Sequence, residues 1–249
     1  MSSINNTYLR PVAQLVFLII LSALPVRCGS ASHTVVKETK RASAPLIDSL
    51  FRRYLPAVRG WENVMSVRYD GTVVWNKIKL PFTYYHHKNH ALITSTVYAG
   101  QSVHPVFFDK KSAYKWTGEK YDSLAANEKK VLANALKSDW YFRPFYLYSE
   151  GAAFSLPAHR TLNGHEVTVL EAAEGEYRWH FFFDTEHGFL VKIISEHPDG
   201  KSFELEFMDF RPHEGIYFPH YWLISLPDSE PPLKAVWKDI RINQPAPSP

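Results

Sequence analysis

The chain has 249 residues, with 28 Lys and Arg against 25 Asp and Glu, 12 His and one Cys, and aromatic side chains make up 15% of it. A nearly neutral balance leaves no electrostatic footprint for nucleic acid or for an anionic membrane surface. One cysteine excludes a disulfide-stapled fold, so a chain of this length has to be held by one sizeable hydrophobic core.

Arg10, an apolar run from Val12 to Leu24 broken only by Gln14 and Ser22, and the small residues Gly29, Ser30 and Ala31 have the layout of a secretory signal peptide. The run is too short for a comfortable membrane span. Cleavage is expected near Ala31, which makes residues 1–31 the signal segment. The alternatives are an uncleaved anchor and lipidation at Cys28, against which Arg27 stands because such a processing site takes small residues. Cleavage removes Arg10, Arg27 and the only cysteine, leaving 26 basic residues against 25 acidic ones.

Residues 32–44 are polar and read as a flexible leader. A helix is then predicted with Leu46, Ile47, Leu50, Phe51, Tyr54 and Val58 on one side, Ser43 as cap, Pro45 in the first turn, Pro56 as a break and Gly60 as a stop. From Val64 the period changes to two: Met65, Val67, Tyr69, Val73 and Trp75 alternate with Ser66, Arg68, Asp70 and Thr72, the pattern of a half-buried strand. Strand-like runs follow at Leu80–His87, Ala91–Ala99, Val103–Phe108 and Ser112–Trp116. A second helix is predicted between Asp122 and Trp140, with Ser123 as cap and Leu124, Val131, Leu132, Ala135 and Leu136 near one stripe. The next stretch, WYFRPFYLYSEGAAF from Trp140 to Phe154, is dense in aromatics and interrupted by Pro144, and reads as an irregular segment packed onto something large.

Beyond Thr161 the pattern is wholly β. Asn163-Gly164 marks a hairpin, Val167–Leu170 a short strand, and Tyr177–Phe207 three strands turning at His187-Gly188 and Asp199-Gly200. Phe203, Leu205 and Phe207 oppose Ser202, Glu204 and Glu206, so one face of this sheet meets water. Tyr217–Ser225 and Leu233–Ile242 complete the pattern before a Pro-rich tail, residues 244–249. About ten antiparallel strands and two principal helices within one domain, residues 45–243, imply an α+β fold: an incomplete, half-open antiparallel β-barrel with helices covering its concave face.

Two helices are a thin cover for that much inward apolar wall, and the surplus has to line a cavity or show as an exposed patch. The candidate lining residues are Trp75, Trp116, Trp140, Phe142, Phe145, Trp179, Phe181, Phe183, Phe203, Phe207 and Trp222. Taken singly each fits ordinary core better; taken together they favour a hydrophobic ligand cavity. Bond-making motifs are missing: there is no G-x-S-x-G, no H-E-x-x-H, no phosphate-binding glycine loop and no dinucleotide fingerprint. His86, His87 and His90, with His104, are the best metal candidates, but adjacent strand residues face opposite sides and a solvated polar loop is the better reading. Glu174 with Glu176, and Glu204 with Glu206, could pair for acid–base work, yet alternation puts each pair on a wet face.

The run HFFFDTEHGFLVKIISEHPDGKSFELEFMDFRPHEGIYFPHYWLIS resembles the C-terminal half of the LolA-like, outer-membrane lipoprotein-sorting-protein family. Asp184, Gly188, Phe189, Leu190, Asp199, Gly200, Asp209, Phe210, Gly215, Ile216, Phe218 and Pro219 occupy the places of its recurring pattern, and LIDSLFRRYLPAVRGWENVMSVRYDGTV is similar to its opening helix and first strand. The family's Pro-x-x-Arg-like element near the third strand has no counterpart in HHKNHALI, His86 to Ile93, so no basic residue is carried over for a polar lipid contact. The resemblance implies a half-barrel that shelters lipid or lipoprotein acyl chains while crossing the periplasm. With no bond-making or metal motif, the expectation is a monomeric, non-enzymatic carrier without cofactor or metal, with an envelope membrane protein as its other partner. Relatives of this fold also act as envelope sensors, so a protein-interaction module is the alternative.

Overall fold

A computed structural model describes residues 44–246, apart from 76, 99–100, 110, 118–119, 127–128, 130–131, 134–135, 176, 197–199, 201 and 227–228. The expected signal segment and nearly all of the leader lie outside the described residues, as do Ala99, Val131, Ala135, Glu176 and Asp199.

Helix α1 spans Ala44–Tyr54. Ile47, Phe51 and Tyr54 repeat at helical spacing and are buried, whereas Leu46, expected on the same side, is exposed because its neighbour's position turns about 100° away around the axis. Pro56 has no N–H to continue the α ladder, and the chain tightens into a 3-10 turn over Leu55–Val58. Gly60 at φ +89° ends it, as the sequence predicts.

One antiparallel sheet takes up most of the remainder. Its first half comprises β1 (Ser66–Trp75), β2 (Ile78–His87), β3 (Ala91–Tyr98), β4 (Gln101–Val103), β5 (Val106–Asp109), β6 (Ala113–Trp116) and β7 (Tyr121–Ser123). Its second half comprises β8 (Ala158–Leu162), β9 (His165–Glu174), β10 (Tyr177–Asp184), β11 (Leu190–Glu196), β12 (Ser202–His213), β13 (Ile216–Leu226) and β14 (Ser229–Ile242). The order is β7-β6-β5-β3-β2-β1-β14-β13-β12-β11-β10-β9-β8, with β4 paired to β3. Two meanders thus fan outward from a central β1–β14 pair, in which Val67 lies opposite Ile242 and Val73 opposite Ala235. The sheet does not close; β7 and β8 are its ends.

The 14 strands exceed the expected ten for local reasons. Pro105 cannot donate to a ladder and cuts the predicted strand Val103–Phe108 into β4 and β5. Ser123, predicted as a helix cap, belongs instead to β7. The chain from Ala158 to Leu162 forms the partner strand of the Asn163-Gly164 hairpin, whose two turn residues sit at φ +51° and +84° as a type I′ turn demands.

Two helical segments lie on the inner face between β7 and β8. In the first, Leu124, Leu132 and Leu136 are buried, and the bonds from Lys129 N to Ala125 O and from Leu136 N to Leu132 O, both 2.9 Å, have helical spacing. The second corrects the sequence reading: Arg143–Ser149, expected to be irregular, is a regular helix, α2. Pro144 falls in its first turn, where the missing N–H costs nothing, so the proline starts a helix rather than interrupting one. Phe51 of α1 stacks on Tyr148 at 4.3 Å and meets Phe145 edge-on at 5.7 Å, while Tyr54 stacks on Phe183 at 4.3 Å. These contacts pin both helices over the β9–β11 side of the sheet.

Bulges set which residues face in. Along β14, Leu233, Ala235 and Trp237 are buried, and then Ile240, because the pairing skips Lys238 between the pairs Gly71–Trp237 and Asp70–Asp239. Gly71 is obligatory there: a Cβ would stand 2.1 Å from the Val236 carbonyl oxygen. The outer face is wet, with the Lys192 ammonium 2.6 Å from Glu204 and 3.1 Å from Glu206.

Candidate ligand-binding site

The inner-face side chains of β1, β2, β3, β12, β13 and β14 surround a cavity lined among the described residues by Val73, Phe82, Tyr84, Thr94, Phe203, Leu205, Trp222, Ile224, Leu233, Ala235 and Trp237, with Trp140 as its one wall residue from outside the strands. Its volume is about 40 Å³, and about 480 Å³ when the space is counted out through its mouth to solvent. Thr94 brings the only aliphatic hydroxyl, and that oxygen is engaged, accepting the Val106 N–H at 2.9 Å. The wall is apolar apart from the Tyr84 hydroxyl and the tryptophan indole N–H groups, of which that of Trp237 is buried without a hydrogen-bond partner among the described residues. Period-two alternation places it: Phe203 and Leu205 come from one strand, Trp222 and Ile224 from the next, and Leu233, Ala235 and Trp237 from the third.

Of the residues singled out from sequence, Trp140, Phe203 and Trp222 line this cavity. Trp140 packs on Phe203 at 5.6 Å and on Trp179 at 6.2 Å. Trp179, Phe181 and Phe207 are buried beside it, Phe207 edge-on to Trp222 at 5.6 Å. Phe142 and Phe145 pack against Trp61 at 6.2 and 6.1 Å, and Phe183 lies under α1; all three are core away from the cavity wall. Trp116 is half-buried on β6, 4.9 Å from Tyr121. Trp75 ends β1 and its side chain lies outside the described residues. Phe82, Tyr84 and Trp237 were not singled out, although alternation along β2 and β14 marks them as inward.

A second, smaller cavity of about 20 Å³ has Ser66, His86, Lys88, Lys137, Ser138 and Asp139 on its polar side and Trp61, Val64, Met65, Val67 and Phe142 on its apolar side. Asp139 is 2% exposed. Its Oδ1 accepts the Tyr69 hydroxyl at 3.2 Å and the Tyr141 N–H at 3.0 Å. Its Oδ2 has no hydrogen-bond partner among the described residues. Burial pushes the carboxyl up to about 7, and the two bonds to Oδ1 only moderate this. Burial, and then the Asp139 charge, pushes the Tyr69 and Tyr84 hydroxyls well above the usual phenol range.

The polar groups weighed for catalysis are occupied otherwise. Glu174 holds the buried Arg143 guanidinium and lies 3.5 Å from the Lys137 ammonium, and Glu204 and Glu206 both hold Lys192. The His87 ring meets His90 at 4.6 Å, and His104 Nδ1 lies 2.9 Å from the Ser95 hydroxyl. Among the described residues no group of three or more His, Cys, Asp or Glu is placed to hold a metal, and no helix is long and apolar enough to cross a membrane.

No protein-family model and no curated protein matches this sequence. Among solved structures, a LolA superfamily protein from Nitrosomonas europaea overlays with a TM-score of 0.52 at 10% identity, over 80% of this chain and 94% of that one. The fold is LolA-like. A domain described as an outer membrane lipoprotein-sorting protein from Vibrio parahaemolyticus overlays more loosely, with a TM-score of 0.48 at 10% identity over 82% of this chain and 93% of that one. A DUF1329 family protein from Desulfovibrio piger gives 0.47 at 10% identity over 78% and 93%. The LolA-like sheet explains why the cavity exists: a half-barrel has an inner face that no second sheet covers, and the helices pinned over β9–β11 leave the β1–β14 region to Trp140 and its flanks.

Proposed function

We propose that this chain is an exported, non-enzymatic carrier or binder of a lipid-like ligand, whose acyl chain occupies the cleft between the inner sheet face and the Trp140 segment. The observation that carries this reading is the apolar cleft itself, open at its mouth and walled by aromatic and aliphatic side chains from both meanders. At about 40 Å³ the closed part admits only the first few groups of a hydrocarbon tail, so a full-length chain enters by moving Trp140 off Phe203 and Trp179. The magnitudes allow this. Burying a 16-carbon chain at ~0.8 kcal/mol per CH2 yields about 12 kcal/mol before losses, whereas each aromatic contact given up is worth about 0.5–1.5 kcal/mol beyond its area. The LolA-like fold supports the same reading, and the expected signal segment supports export to the periplasm.

Native mass spectrometry of protein purified from a membrane-containing lysate tests it. A co-purifying lipid mass, or uptake of a fluorescent acyl probe by delipidated protein, is the expected result. A ligand-free mass together with no probe uptake overturns it. A second reading, an envelope protein-interaction module, is favoured by one rim feature: Phe189 stacks on Phe210 at 4.4 Å and meets Tyr217 at 5.2 Å, with Tyr217 and Met208 exposed. In that case Tyr217→Glu abolishes capture of the partner and leaves probe uptake unchanged.

A further inference from the structure

Tyr69 joins residues that line the two cavities. Its ring lies 4.8 Å from Trp222, 5.3 Å from Trp237 and 5.7 Å from Tyr84, all of which line the apolar cleft. Its hydroxyl donates to Asp139, which lines the polar cavity. Tyr69 is fully buried and lines neither space itself; with its neighbours it walls the cleft off from Asp139. On the far side of that wall Asp139 presents a carboxyl whose Oδ1 has two donors and whose Oδ2 has none. A buried carboxylate oxygen without a donor is costly, and a ligand that brings one recovers that cost.

We propose that the polar cavity is the head-group subsite of the apolar cleft, and that it selects acyl ligands ending in a hydroxyl or amide hydrogen-bond donor over those ending in a carboxylate. This rests on the reading of the cleft as an acyl-chain site. A volume of about 20 Å³ suits one water-sized group, a single hydroxyl or amide N–H, and the rest of a head group stays in the space of about 310 Å³ that reaches solvent. The cations lining the cavity do not reverse the preference, because both are held elsewhere. The Lys137 ammonium pairs with Glu174 at 3.5 Å, and the Lys88 ammonium lies 5.9 Å over the Tyr146 ring. His86 also lines the space, on the β2 side. A fatty carboxylate threaded past Tyr69 meets the Asp139 carboxylate head-on, whereas a monoglyceride of the same chain, through a free glycerol hydroxyl, or its primary amide, through an N–H, supplies the missing donor to Oδ2.

Calorimetric titration of the full chain with 1-monodecanoylglycerol and with decanoate, at pH 8.5, tests the preference. That pH lies above the value of about 7 to which burial pushes Asp139, so the carboxylate is charged. The glycerol ester is expected to bind about tenfold tighter or more, the size of a charge-assisted hydrogen bond. In Asp139→Asn, Oδ1 is kept for Tyr69 and Tyr141 while the carboxamide N–H now donates, so the preference shrinks or reverses in favour of decanoate. Tyr69→Phe keeps the partition and frees a second lone pair on Asp139, so the preference for the ester stays or grows, and this variant serves if the Asn protein does not fold. Equal affinities for the two ligands in the natural protein, or a preference that Asp139→Asn leaves untouched, overturn the subsite while sparing the cleft. Binding of neither ligand overturns the cleft reading and the subsite together.

Discussion

Asp139 makes the protein less stable as the pH rises, and Asp139→Asn removes that penalty. Its carboxyl titrates at about 7 in the folded state against an ordinary 3.8, because the side chain is buried with only one oxygen satisfied. The folded state therefore holds a proton that the unfolded chain has already released. Stability contributed by that proton is complete below about pH 4 and is lost progressively as the pH climbs to about 7. At 1.36 kcal/mol per pH unit the whole loss is about 4 kcal/mol, of which about 3 kcal/mol falls between pH 5 and pH 8. Asn keeps the acceptor for the Tyr69 hydroxyl and the Tyr141 N–H and carries no charge at any pH. Urea unfolding of both proteins at the two pH values isolates the effect, since every other titrating group cancels between them. Relative to the natural chain, the variant is expected to gain about 3 kcal/mol on going from pH 5 to pH 8, a midpoint shift of about 1 M or more. A difference that stays flat with pH, or that moves the other way, refutes the assignment of a raised buried carboxyl.

Trp140→Ala strips the one described wall residue that does not come from a strand, and is expected to cost about 3 kcal/mol in thermal or urea unfolding while speeding acyl-probe uptake in stopped-flow fluorescence. Slower uptake at unchanged affinity would show that Trp140 guides the tail rather than gating it. Gly71→Ala drives a methyl group into the Val236 carbonyl and is expected to leave the protein unfolded or more than about 3 kcal/mol less stable, whereas Gly164→Ala, at φ +84° with open space around it, costs only about 1–2 kcal/mol. Circular-dichroism melts of the pair decide whether the central bulge is as unforgiving as its geometry implies.

Much of this architecture can be read directly from residue patterns. The Asn163-Gly164 turn, the stripe of Ile47, Phe51 and Tyr54, and the alternation of Phe203, Leu205 and Phe207 are local signals, and each has a single structural solution that the chain adopts. Pro144 misleads because the same residue breaks a helix from within and begins one at its first turn; only the tertiary contacts of Phe145 and Tyr148 with Phe51 show which applies. The bulge at Lys238 is hidden for a related reason, since the shift of inward phase between Trp237 and Ile240 looks like noise until Gly71 is seen opposite. The candidate cleft was half visible: Trp140, Phe203 and Trp222 stand out by size, while Val73, Leu233 and Ala235 are ordinary strand residues until the first and last strands meet. Asp139 gave no signal at all. An acid between a serine and a tryptophan looks like a solvated helix end, and its partner Tyr69 is 70 residues away.

The unjoined ends, β7 and β8, have a mechanical meaning. In a closed barrel the circumference is fixed by the hydrogen-bonded ring, and a larger guest can be admitted only by tearing a seam. Here the perimeter is a strip with two loose margins, so the bowl can flatten or deepen by small changes of twist between neighbouring strands while every rung stays intact. The depth of the bowl is then an elastic property of the sheet, set by bending rather than by the volume found at rest.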